Sequence, residues 1–256
     1  MDINKSIFRM YDIRGIIDKD ISPEFSEAMG RAFATLLQKE NPGKVLTVSV
    51  GRDMRESGIE YEERLIKGLT ESGVNVKTVG LVSTPAFYFS VGHLEADGGV
   101  MVSASHNPAE YNGYKMTRAQ AVPVSGESGI QDLADIIEQE TFVQSDQVGT
   151  VEAVEGIPEA FVDEQFVFAG DQPIAKMKIV ADSGNGMGAQ FLDGLFDKID
   201  ADVTRMYWEF DGSFPNHEAD PLKPENIKDL EEKVKELGAD IGIATDGDGD
   251  RVFFVD

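Results

Sequence analysis

Val45-Leu46-Thr47-Val48-Ser49-Val50-Gly51 is a β-branched run that ends on a glycine, and it reads as a buried strand. Ile59, Leu65, Ile66 and Leu69 then recur near helical spacing, which predicts a helix over 59–72. Gly73 interrupts the pattern, and Val74 to Val79 reads as a second strand. Pro85 opens a helix that runs to about Leu94, and Gly99-Val100-Met101-Val102-Ser103 is a third strand. Strands alternating with helices in this way argue for an α/β domain with a largely parallel sheet. Upstream, Phe25, Met29, Phe33 and Leu36 mark a helix that would pack on one face of it.

Beyond the third strand the pattern pauses. Residues 118–130 are rich in Gly, Ser and Pro, 131–139 read as a helix, and 144–158 are polar. A domain boundary is expected near 148, giving domains over 1–148 and 149–256. A second series follows: strand Lys178–Ala181, helix Met187–Phe196, strand Asp202–Tyr207, helix 226–237 and strand Asp240–Ala244. Pro224-Glu225-Asn226 is the start signal of the last helix. The halves look alike, because Ala96-Asp97-Gly98-Gly99-Val100 resembles Ala239-Asp240-Ile241-Gly242-Ile243 and each leads into a polar loop. In open α/β sheets, binding loops lie beyond the carboxyl ends of strands.

The 256 residues carry 23 Lys and Arg against 47 Asp and Glu, a formal charge of −24. That balance argues against a nucleic-acid or anionic-membrane partner, since both need clustered cations. The absence of Cys excludes a disulfide framework, a thiolate nucleophile and a thiolate metal site. No run of about 18 apolar residues suggests a membrane span, and the N-terminus lacks the order of a signal peptide. A cytoplasmic location is the expectation.

Two loops carry the chemistry. Ser103-Ala104-Ser105-His106-Asn107-Pro108 follows the third strand, where an exposed Ser can serve as a nucleophile if its surroundings activate it. A plain polar turn closed by Asn-Pro fits the hexapeptide equally well. Ser105 and His106, as neighbours on an extended chain, are expected to point different ways. Asp246-Gly247-Asp248-Gly249-Asp250-Arg251 follows the strand ending at Ala244. Its glycines let alternate carboxylates converge, and three converging anions call for a hard, oxygen-seeking cation such as Mg²⁺. The alternatives are weaker: an EF-hand needs Gly at its sixth position, where Arg251 stands, and a solvated acidic turn leaves the spacing unexplained. Together the loops suggest phosphoryl transfer, with Arg251 steadying phosphate charge. Arg14 in Tyr11-Asp12-Ile13-Arg14-Gly15 and Lys115 in Tyr111-Asn112-Gly113-Tyr114-Lys115 are further candidate cations, though either alone reads as a surface charge.

These motifs resemble the α-D-phosphohexomutase family, and most closely its phosphomannomutase/phosphoglucomutase branch. Gly51-Arg52-Asp53, Asp182-Ser183-Gly184-Asn185-Gly186 and Phe210-Asp211-Gly212-Ser213-Phe214-Pro215-Asn216-His217 extend the match, in family order, from residue 11 to 251. The phosphoglucosamine mutase branch usually opens differently and ranks second. The resemblance implies two similar consecutive three-layer α/β/α domains with mixed, largely parallel sheets. It implies that Ser105 carries a phosphoryl group and exchanges it with a hexose 1-phosphate through a hexose 1,6-bisphosphate, yielding hexose 6-phosphate. Asp246, Asp248 and Asp250, with a phosphoserine oxygen of Ser105, would hold Mg²⁺. Arg14 and Lys115 would help with acid–base work, and His106 and Arg251 would support the phosphoryl site.

Family members usually have four domains. Neither the Gly-Glu-Met-Ser-Gly-His-like sugar loop of the third nor the Arg-Ser-Gly-Thr-like phosphate loop of the fourth occurs here. The chain therefore reads as an N-terminal half, with the phosphoserine in domain 1 and the metal in domain 2. Alternatives are a non-catalytic module that holds metal and phosphosugar, a metal-dependent phosphatase, and a subunit completed by self-association or by a chain bearing the missing loops. Mannose, glucose and glucosamine substrates are not distinguished by these residues.

Overall fold

A computed structural model describes residues 1–170 and 173–256. The chain folds into two compact units. The first comprises Met1–Leu81, Phe87–Ala104 and Glu110–Glu155, and the second comprises Val82–Ala86, Ser105–Ala109 and Gly156–Asp256. The main division falls a few residues beyond position 148.

The first unit is built on six strands, β1 (Ile13–Ile16), β2 (Thr47–Arg52), β3 (Asn75–Leu81), β4 (Gly98–Val102), β5 (Tyr111–Arg118) and β6 (Val151–Ala153), in the order β1-β5-β4-β2-β3-β6. β4, β2, β3 and β6 run parallel, whereas β5 is antiparallel to both β1 and β4. Its helices are α1 (Pro23–Glu40), α2 (Ser57–Glu71), α3 (Thr84–His93) and α4 (Gln131–Gln139). Ser22 caps α1 by accepting the Phe25 N–H, and Pro23 fits the first turn, where no backbone donor is needed. Phe25, Met29, Phe33 and Leu36 are buried as the spacing predicts. Two adjacent glycines show the layering. A Cβ on Gly98 would meet Leu37 and Phe33 of α1, and one on Gly99 would meet Val91 and Phe87 of α3. Successive residues face opposite layers, so helices cover both faces of the sheet.

The second unit has β7 (Met177–Asp182), β8 (Ala201–Met206), β9 (Ile241–Thr245) and β10 (Val252–Val255) in the order β10-β9-β7-β8. Only β10 is antiparallel. Helices α5 (Ile157–Ala169), α6 (Gly188–Phe196) and α7 (Pro224–Leu237) complete it. Ile179 and Ala181 pack with Leu192 and Phe196 of α6, whereas Val180 packs with Leu230 and Val234 of α7. Alternation along β7 again serves two layers.

The likeness between the halves is topological. Strand order β5-β4-β2-β3 in the first unit matches β10-β9-β7-β8 in the second, with one helix between each successive pair of the parallel strands and none before the antiparallel β5 or β10. Both sheets are mixed and mostly parallel. Strands β1, β5 and β6 and helix α5 lie outside the elements expected from hydrophobic pattern. Among the described residues, no helix is long and apolar enough to cross a membrane.

Candidate active site

The aspartate loop joins β9 to β10. Those strands pair with Val252 opposite Thr245, so residues 246–251 form the turn of a hairpin. The Asp246 N–H donates to the Arg251 carbonyl at 3.2 Å, and the Arg251 N–H donates to Asp246 Oδ1 at 3.0 Å. Gly249 sits at φ +75°, a conformation that costs an L side chain and suits glycine. The turn brings one carboxylate oxygen each from Asp246, Asp248 and Asp250 within 4.8 Å of one another. Asp246 and Asp248 are fully buried, whereas Asp250 is exposed. Burial, then the charges of Asp248 and Asp250, push the Asp246 carboxyl up to about 7, against the pull of Arg251 and the Ser105 hydrogen bond. The Arg251 guanidinium brings a single positive charge to three carboxylates. An all-oxygen donor set with surplus negative charge fits a hard divalent cation.

Ser105 lies against this loop and belongs to the same compact unit. Its hydroxyl donates to Asp246 Oδ2 at 2.8 Å and accepts from an Arg251 guanidinium nitrogen at 3.1 Å. The same guanidinium donates to Asp246 Oδ2 through two nitrogens, at 3.1 and 2.9 Å. It also donates to His106 Nδ1. Since Arg has only donors, His106 accepts at Nδ1 and braces the arginine. The expectation that Ser105 and His106 diverge does not hold, for their Oγ and Nδ1 are 3.3 Å apart. Ser105 has φ +54°, so the chain is not extended there and the two side chains turn to one side. A Cβ on Gly247 would stand 2.5 Å from the Ser105 carbonyl, so only glycine lets the two loops approach this closely.

Arg14 and Lys115 belong to the first unit. Arg14 lies on β1 opposite Gly113 of β5, and Lys115 is two residues further along β5. Period-two alternation puts both cations on one face of that sheet. Arg14 is held by Asp12, with Nε and a terminal nitrogen each 2.7 Å from Oδ2, and it donates to the Ala104 carbonyl at 3.2 Å. Lys115 is buried, which is unusual for a lysine. Ser105, His106, Asp246 and Arg251 are thus in mutual contact, Asp248 and Asp250 complete the carboxylate cluster, and Arg14 and Lys115 share a face of the other unit's sheet.

Thr84 carries no sign of a role in the sequence, yet its hydroxyl donates to Asp248 Oδ2 at 2.6 Å. The only local hint is Ser83-Thr84-Pro85, a helix-start pattern. The pairing of Arg14 with Asp12 is likewise unmarked, although the two are near neighbours in sequence. His217 Nε2 bonds Asp182 Oδ2 at 3.1 Å, linking two motifs that are separate in the sequence.

Comparison with known proteins agrees with this architecture. The model of the phosphoglucomutase/phosphomannomutase alpha/beta/alpha domain I matches residues 5–144, and that of domain II matches 159–256. A phosphomannomutase/phosphoglucomutase from Pseudomonas putida is 45% identical over 249 residues, covering 96% of this chain and 51% of the relative. A phosphoglucomutase from Neisseria gonorrhoeae is 39% identical over 251 residues, covering 98% and 53%. The crystal structure of a phosphoglucomutase/phosphomannomutase family protein from Burkholderia thailandensis superposes with a TM-score of 0.89 at 35% identity, over 99% of this chain and 55% of that one. The chain spans about half the length of the curated relatives it matches.

Proposed function

The chain belongs to the phosphoglucomutase/phosphomannomutase family, and from that premise we propose that it is the part of a phosphohexomutase that carries the phosphoryl group on Ser105. The observation that carries this reading is the 2.8 Å contact of Ser105 Oγ with Asp246, inside a converging carboxylate cluster. The names of the relatives support the reaction class, and Asp246, Asp248 and Asp250 suit Mg²⁺ by their donor chemistry.

Bound there, Mg²⁺ would draw charge from the phosphoryl oxygens and make phosphorus more open to attack. The chain's own residues would do the rest. In the forward reaction the 6-hydroxyl of a hexose 1-phosphate attacks the phosphorus on Ser105. The bond from phosphorus to Oγ breaks, and the hydroxyl proton passes to a base. The resulting hexose 1,6-bisphosphate returns its C1 phosphoryl group to Ser105, leaving hexose 6-phosphate. Arg251, held by His106 and Asp246, would steady the negative charge on the transferring group. Lys115 would take and return the hydroxyl proton, a role its burial supports, and Arg14, whose guanidinium only donates hydrogen bonds, would orient oxygens on the same face. The chain spans about half the length of the relatives whose names give the reaction class. Phosphorylation of Ser105 is therefore the fitting readout, rather than turnover.

The test is intact-protein mass spectrometry with site mapping after incubation with Mg²⁺ and glucose 1,6-bisphosphate. One added phosphoryl group on Ser105 is expected, lost in Ser105→Ala and after chelation of the metal. A folded, Mg²⁺-binding protein that stays unmodified would overturn the transfer reading and leave a metal-binding module in its place.

A further inference from the structure

We propose that Thr84 is the positioning residue of the aspartate loop, setting the Asp248 carboxylate for cation binding by a two-point clamp. The inference rests on the reading of Asp246, Asp248 and Asp250 as a metal site.

The residue stands at the start of α3, fully buried, and clusters with the second unit. It holds Asp248 at both ends. Its hydroxyl donates to Oδ2 at 2.6 Å, and its backbone N–H donates to the Asp248 carbonyl at 2.9 Å. The partners are 164 residues apart in sequence, so this is a tertiary lock and not a feature of the turn.

The loop needs such a lock. Asp248 lies between Gly247 and Gly249, and glycines enlarge the number of states that must be frozen out when the loop is ordered. Asp246 has its own restraints in Arg251 and Ser105. A hydroxyl-to-carboxylate bond fixes the rotation of the Asp248 carboxylate, and the N–H bond fixes the main chain that carries it. The clamp is itself anchored, because the Ser83 N–H donates to Gln190 Oε1 of α6 at 3.0 Å. Groups that orient a metal ligand in this way are typically worth about 10–100-fold in metal affinity.

The test is a Mn²⁺ titration of the whole chain followed by electron paramagnetic resonance, with Mg²⁺ competition by calorimetry, on wild type, Thr84→Val and Thr84→Ser. Thermal unfolding in chelator first establishes that each variant is folded. Thr84→Ala replaces the valine variant if added bulk prevents folding. The valine variant is expected to bind Mn²⁺ about 10–100-fold more weakly, and the serine variant, which keeps the hydroxyl, to stay within about threefold of wild type. Wild-type affinity in the valine variant would overturn the clamp while leaving the metal site intact. Equal loss in the serine variant would overturn it too, since packing of the methyl would then be the cause. A folded wild type that binds neither ion would overturn the metal site and the clamp together.

Discussion

His217 sits between two acceptors. Its Nδ1 bonds the Glu218 carbonyl at 2.9 Å and its Nε2 bonds Asp182 at 3.1 Å, so both ring nitrogens can act as donors only in the imidazolium. Burial alone would lower its pKa, but the bonds to Asp182 and Glu218, with the charges of Asp182 and Asp229, raise it above the ordinary histidine value. A raised folded pKa means that the stabilisation is fully present below the unfolded value, about 6.5, and is lost as pH rises through the folded one. Urea unfolding of wild type and His217→Gln should therefore show the widest gap at about pH 5, narrowing by about pH 8.5. A gap that is constant, or wider at high pH, would rule this out. At this scale the contiguous motifs are readable, since Asp246, Asp248 and Asp250 announce themselves by spacing. Thr84 is not, because its role exists only through a contact between distant parts of the chain.

Helices α1 and α2 cross at a pair of glycines. A Cβ on Gly68 would lie 2.1 Å from the Glu27 carbonyl, and one on Gly30 would lie 2.3 Å from the Leu65 carbonyl. Main chain cannot step aside as a side-chain tip can. Gly68→Ala gains up to about 1 kcal/mol of helix propensity but forces the helices apart at a typical cost of about 1–3 kcal/mol. We expect a net loss, read as a lower urea midpoint. Gly92→Ala in α3, where a Cβ would meet nothing within 4 Å, should hold or raise the midpoint. An unchanged Gly68→Ala would show that the crossing relaxes freely. Both α1 and α2 are visible as apolar periodicity, but β5 is hidden. Its residues Asn112, Lys115 and Thr117 are polar yet buried between β1 and β4, so no hydrophobic alternation marks the strand. β6 buries none of its residues and is only three residues long. α5 buries just Ile157 and Val162, too little for a clear stripe.

At the scale of the whole molecule, the sequence hints at two like halves, and the shared strand order bears that out. It does not show that Val82–Ala86 and Ser105–Ala109 leave the first half of the chain to join the second unit, because no local pattern encodes which distant surface a loop will meet. Ser105 and Asp246 are 141 residues apart, and Thr84 and Asp248 are 164 apart. Contacts of such separation form late, after loop-closure entropy has been offset by other structure. In refolding from urea, Mn²⁺ binding should lag behind the recovery of helical circular dichroism, and coincident rates would contradict that order. The same separation sets a clock during synthesis. At about 5–20 residues per second, Ser105 leaves the ribosome's catalytic centre roughly 7–28 s before Asp246 is made. A nascent chain thus carries its serine for many seconds before the carboxylate that accepts its hydrogen bond exists.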